Sequence, residues 1–209
     1  MINKIKEKWS KPADKIIVER TISALKNSGI ESAYFENAES LKEHLFKLIP
    51  ENAEVMTMTS VTLDKLGITR EINETKIYSS VRNKMTLMNR EEQHLEMQKL
   101  GTAPQYTVGS VHAVTEDGKV LIASNTGSQL PAYAYGSSRV ILVVGTQKIV
   151  KDLNEGFKRI YKYTLPLESE RAKKAYGVDG SFVSKLLIIN KEVTPGRITI
   201  LFLNENIGF

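Results

Sequence analysis

Arg139-Val140-Ile141-Leu142-Val143-Val144-Gly145 is the stretch on which the fold turns. An unbroken aliphatic run closed by glycine matches a strand buried on both faces of a sheet. Upstream, Val111–Thr115 and Lys119–Ala123 flank Asp117-Gly118, which predicts a β-hairpin with a two-residue loop. Gly109, Gly118, Gly127, Gly136 and Gly145 fall at every ninth position. The segments between them are not alike, so these glycines read as punctuation between short elements, not as a repeat.

Toward the N-terminus, the spacing predicts a helix over Pro12–Ser28. Val18, Ile22 and Leu25 form its stripe and Gly29 is its stop. A strand over Ile30–Phe35 and a helix over Ala38–Leu48 follow. Glu54–Thr59 and Lys76–Ser80 read as strands, and Asn89–Leu100 as a helix. Toward the C-terminus, Asp152–Tyr163 and Leu167–Tyr176 read as two helices separated at Pro166. Lys185–Ile189 and Arg197–Leu203 read as strands separated by Thr194-Pro195-Gly196. Strands alternating with helices define an α/β fold. The expected sheet is mostly parallel and Rossmann-like, with helices on both faces and an antiparallel hairpin. No linker divides the chain, so residues 1–209 are expected to form one domain, with 1–10 as a flexible lead.

The composition excludes several classes. There are no cysteines, which removes disulfide scaffolds, thiolate metal sites, cysteine nucleophiles and cysteine-ligated iron–sulfur clusters. The charged N-terminus lacks the apolar core of a signal peptide, and no aliphatic run approaches the roughly 20 residues that span a bilayer. A cytoplasmic protein with no membrane association is expected. The net charge is +5, and the lysines are spread among glutamates rather than gathered as a nucleic-acid binder gathers them. A weak preference for anions is the modest inference, with no nucleic-acid partner. There is no G-x-G dinucleotide fingerprint, no Walker A loop and no G-x-S-x-G elbow. Glu91 and His94 share a helix face with metal-ligand spacing, but a solvated face explains them and no metal or other cofactor is expected.

What remains is a set of small polar loops after strands, where ligands of open α/β sheets bind. Thr59, Ser60 and Thr62 follow the strand begun at Glu54, and their hydroxyls suit a phosphate or carboxylate at a helix start; plain helix capping competes. Asn125, Thr126, Gly127, Ser128 and Gln129 form a second loop, dense enough in donors to hold an anion or simply to cap the next helix. Gly145, Gln147 and Lys148 lie after the Arg139 strand, with Lys148 available as a point charge. Glu116, beside the hairpin turn, suits a general base or nucleophile at a cleft rim. An ordinary cross-strand ion pair with Lys119 is the competing explanation.

Gly101-Thr102-Ala103-Pro104, Val111–Gly118, Ala123–Gln129, Val140–Val150 and Gly208-Phe209, in this order and spacing, resemble the LUD domain (lactate-utilisation protein C-like) family. The resemblance implies a fold similar to the sugar-phosphate isomerase and CoA-transferase superfamily. It further implies a role in L-lactate or related organic-acid utilisation, as an accessory subunit binding a small anionic metabolite (a carboxylate, phosphate or acyl-CoA). Any iron–sulfur cluster would then reside in partner subunits of a lactate-oxidising complex. The same superfamily implies an alternative: a stand-alone enzyme on an acyl-CoA or sugar phosphate, because Glu116-Asp117-Gly118 is similar to the E-x-G setting of the CoA-transferase glutamate.

Overall fold

The structure is a computed structural model and describes residues 8–209. The helix α1 (Lys15–Asn27) ends in a Schellman turn. The Ile30 N–H donates to the Leu25 carbonyl at 2.9 Å, and Gly29 takes a left-handed φ of 75° that a side chain would oppose. β1 (Glu31–Phe35) and α2 (Ala38–Lys47) follow, the helix capped by Asn37 accepting from the Ser40 N–H at 2.9 Å. The next elements are β2 (Glu54–Thr57), α3 (Val61–Lys65), α4 (Ile68–Glu74), β3 (Ser79–Ser80), α5 (Val81–Thr86), α6 (His94–Thr102) and β4 (Tyr106–Gly109). Then come β5 (Ala113–Thr115), β6 (Val120–Ser124), β7 (Arg139–Gly145), β8 (Ile149–Val150), α7 (Leu153–Arg159), α8 (Leu165–Tyr176), β9 (Lys185–Ile189) and β10 (Ile198–Leu203).

Six strands form one sheet in the order β1-β10-β7-β4-β2-β3, every pair parallel. β7 lies inside it and is buried on both faces. Val140, Leu142 and Val144 join one core with Leu25 of α1, while Ile141 and Val143 join another with Leu41 and Leu45 of α2. Both halves of the aliphatic run are therefore consumed by packing, which is why β7 does not alternate with polar residues.

The hairpin does not extend this sheet. β5 and β6 build a second one, in the order β8-β5-β6-β9, in which β5 also pairs β8 in parallel and β6 pairs β9 antiparallel. Val114, Val120 and Ile122 face the core of the six-stranded sheet, and Ala113, Leu121 and Ala123 face Ile160 and Tyr163. The helices thus flank the parallel sheet directly on the α2 side; on the other face α1 shares the cover with the second sheet. The hairpin loop is also one residue longer than the expected two. The Thr115 N–H donates to the Lys119 carbonyl at 2.8 Å and its Oγ1 accepts the Lys119 N–H at 2.9 Å, while the Gly118 N–H donates to the Thr115 carbonyl at 2.9 Å with φ 86°. That leaves Glu116, Asp117 and Gly118 in the loop, a turn closed by a left-handed glycine.

Pro166 does not separate two helices. Between α7 and α8 the chain continues as a π-turn, Ile160–Thr164, with the Leu165 N–H donating back to the Ile160 carbonyl. Pro166 has no N–H to give to the preceding turn, and one wide turn accommodates that loss without breaking the rod. The expected flexible lead lies partly in residues 1–7, outside the described residues. Within it Trp9 is buried, packed on Tyr163 with ring centroids 6.2 Å apart. Among the described residues no helix is long and apolar enough to cross a membrane.

Candidate functional site

β2, β4 and β7 are neighbours in the parallel sheet, and their carboxyl ends open into one cleft of about 600 Å³. Its facing wall is the second sheet's end and the helix running from Ile160 to Tyr176. After β2 the chain delivers Thr59, Ser60 and Thr62; after β4, Ser110, Val111 and His112; after β7, Lys148. A cleft beyond the carboxyl ends of parallel strands is the usual ligand position in such sheets.

Lys148 forms the floor. The 3₁₀ turn Thr146–Lys148 carries it from β7 to β8, so it stands where the two sheets join. It is almost fully buried, and its Nζ lies 3.1 Å from Thr62 Oγ1, Ser110 Oγ and the Val111 carbonyl oxygen. No carboxylate of the described residues pairs with it. Burial, and then the nearby Arg159 guanidinium, press its pKa well below the ordinary lysine value. Arg159 is itself buried. It donates to the His112 carbonyl and to Thr164 Oγ1 at 3.1 Å and lies over the Tyr163 ring, while Nε and Nη2 have no partner. Burial lowers its pKa to about 10.

His112 is half-buried at the cleft wall. Its Nδ1 accepts the Ala123 N–H at 3.0 Å, which fixes the neutral ring's proton on Nε2. Burial, with Lys148 and Arg159 nearby, drops its pKa to about 3, so the ring is neutral at physiological pH. Tyr133 is buried beside it in the cleft lining, its hydroxyl set against Gly109 and bonded by the Ser110 N–H. Burial raises its pKa.

The remaining charge is mostly positive. Arg82, Arg90, Arg171 and Lys148 line the cleft against Asp64 and Glu168. Glu168 is already satisfied by Arg171 through two bonds of 2.7 and 2.6 Å. Arg82 donates to the Thr57 carbonyl at 2.6 Å, leaving other guanidinium N–H groups for a ligand.

The three polar loops read from the sequence meet in this cleft. Thr59, Ser60, Thr62, Asn125, Thr126, Ser128, Gln129 and Lys148 all line it. Several are also engaged locally: Ser60 caps α3, Ser128 and Thr126 bond each other at 3.1 Å, and Gln129 donates to the Ala123 carbonyl at 3.3 Å. Gly127 shapes the second loop with φ 88° and is not itself in the lining. Gly145 and Gln147 lie behind it. Gln147 is buried and donates to the Ile207 carbonyl at 2.8 Å, which ties down the segment that brings Phe209 to the cleft. Glu116 is not a cleft residue. It pairs with Arg20 of α1, while Lys119 pairs with Asp117.

Ser110, His112, Tyr133, Arg82, Arg90, Arg159 and Arg171 were not singled out by the sequence. Only Arg159 carried a signal: it falls on the face of its helix that also presents Gly156, Ile160 and Tyr163, where a cation is out of place. Among the described residues no three His, Asp or Glu side chains gather as a metal site.

The fold and cleft together define a class: an α/β protein with a basic ligand cleft past the strand ends of a parallel sheet. A family model of the LUD domain matches residues 18–203, and the chain belongs to that family. Among solved structures it is similar to a DUF162 family protein from Deinococcus radiodurans, with 11% identity and a TM-score of 0.55. That likeness covers 92% of this chain and 100% of the other, and at this identity it speaks to the fold alone. No curated protein matches the chain.

Proposed function

We propose that this protein binds a small organic anion in lactate or related organic-acid utilisation, as an accessory subunit without a redox centre of its own. One observation carries the binding reading: Lys148 is buried at the floor of a cleft in which no carboxylate of the described residues pairs with it. Three uncharged oxygens accept from it, so what its cationic form lacks is an opposing charge, and an anionic ligand supplies one. Arg82 and Arg90 at the same cleft extend the attraction outward. Membership of the LUD domain family supports the link to lactate.

The cleft, at about 600 Å³, is much larger than a three-carbon acid needs, so the test uses anions of several sizes. Isothermal titration with L-lactate, pyruvate, inorganic phosphate, a sugar phosphate and acetyl-CoA should give saturable binding of at least one, lost when Arg82 and Lys148 are both replaced. Binding to none would end the reading. The accessory role predicts recovery of iron–sulfur proteins in pull-downs from the source cell, and repeated recovery of none would remove it. The alternative, an acyl-CoA or sugar-phosphate enzyme using Glu116, draws no support from the pairing of Glu116 with Arg20 outside the cleft.

A further inference from the structure

We propose that Lys148 is an imine-forming lysine, whose amine condenses with the carbonyl carbon of a small 2-oxo carboxylate held in the cleft. The proposal rests on the anion-binding reading above and adds a reaction to it.

The first argument is a count of protons. Ser110 Oγ donates its single proton to the Val143 carbonyl at 2.7 Å, so toward Lys148 it can only accept. The Val111 carbonyl can only accept. Thr62 Oγ1 is free to act either way, since its other partners, the Ile207 carbonyl and Ser110 Oγ, each lie at a long 3.4 Å. A neutral amine therefore meets every demand here: two N–H groups donate to Ser110 and Val111, and its lone pair accepts from Thr62. An ammonium needs Thr62 to turn its proton to Ile207 instead. One hydroxyl rotation separates the two states, so the cage tolerates the uncharged amine that nucleophilic attack requires.

The second argument is placement. A lysine amine is activated when it is desolvated or set near another cation, and Lys148 has both conditions: its own burial and Arg159. Thr62, Ser110, Val111 and Lys148 are all lining residues, so the amine is at the wall of the cleft, not sealed in the core. Arg82 and Arg90 offer guanidinium groups to a carboxylate in the same cleft. A ligand that uses both features carries a carboxylate and a carbonyl.

The step balances without an oxidant or reductant. The Nζ lone pair forms the C–N bond while the carbonyl π pair moves to oxygen. One amine proton passes to that oxygen to give a carbinolamine; the C=N bond then forms as the C–O bond breaks, and the second amine proton joins the departing hydroxyl as water. One water is released per imine.

The test incubates the full chain with pyruvate and sodium borohydride, which reduces an imine to a stable secondary amine. Intact mass should rise by one pyruvate less one oxygen atom, and peptide mapping should place the adduct on Lys148. L-lactate, which has no carbonyl, should give none, and K148R should lose the adduct. Mapping on the unaltered chain keeps the test independent of whether the variant folds. Absence of an adduct, or adducts scattered over exposed lysines, would overturn the proposal. Titration of pyruvate and L-lactate without borohydride separates the two readings. Binding without an adduct removes the imine and leaves the anion site; binding of neither also removes the imine, and the anion site then stands or falls on phosphate, sugar phosphate and acetyl-CoA.

Discussion

Lys148 is held by three oxygen atoms and, among the described residues, no carboxylate, so its removal should weaken binding more than folding. Met relieves the cost of burying an unpaired amine but takes a donor from the Val111 carbonyl, and these effects oppose each other. Lys148→Met should therefore change the melting temperature by only a few degrees while titration shows loss of anion binding. His112 makes a prediction about acid. Its pKa of about 3 in the folded chain lies below the 6.5 of an unfolded chain, so unfolding takes up a proton as pH falls through this interval. Its contribution is fully present above pH 6.5 and is lost progressively toward pH 3. His112→Asn keeps an acceptor for the Ala123 N–H and cannot titrate. Melting curves between pH 7 and 4 should show a shallower acid loss for the variant. Glu116→Gln breaks an ion pair whose Arg20 partner is largely exposed, so denaturant melts should lose less than about 1 kcal/mol and anion titration should not change. The polar loops were legible because small hydroxyl and amide residues cluster directly after strands, although the same residues also cap helices, as Ser60 does. The arginines were not, since each reaches the cleft through tertiary packing, and a lysine past a strand end gives no sign in sequence of whether it is buried.

Element by element, the local signals were strong where they obeyed one rule. Gly29 marked the end of α1 because the Schellman turn needs a left-handed residue, and the aliphatic run marked β7 because both its faces are covered. Gly29 should therefore be intolerant. A Cβ there would strain φ and overlap the Glu192 carbonyl oxygen. Gly29→Ala should destabilise by about 2 kcal/mol or more, lowering the melting temperature by at least roughly 4 °C in a calorimetric scan. Two readings failed where rules competed. Asp117-Gly118 matched a two-residue turn, but Thr115 and Lys119 pair across it and the glycine serves a three-residue loop instead. Pro166 signalled a break, but Leu165 and the π-turn before it preserve the rod. β3 falls within the strand expected over Lys76–Ser80, shortened to its last two residues, whereas β8, also two residues long, was not read as a strand.

At the scale of the molecule, alternation of strands and helices announced a parallel sheet, while the second sheet was hidden. It joins β6 to β9 across some sixty residues, and sequence spacing does not record such pairings. The cleft lies between these two assemblies with Lys148 on the chain that links them. A ligand there stabilises the whole fold by mass action. At one hundred times its dissociation constant it should add about 2.7 kcal/mol, a rise of roughly 5–10 °C in melting temperature for a chain of this size. A thermal-shift series against ligand concentration checks the curve. The strand order has a different consequence, for the making of the protein. Among the described residues β10 is the sole neighbour of β1, and it also completes the flank of β7. On a ribosome adding about 5–20 residues per second, β1 must wait roughly 10–30 s for its partner to be synthesised. The nascent chain, rather than the finished fold, carries the aggregation risk, and slower initiation at lower temperature is the condition under which this protein should be recovered in best yield.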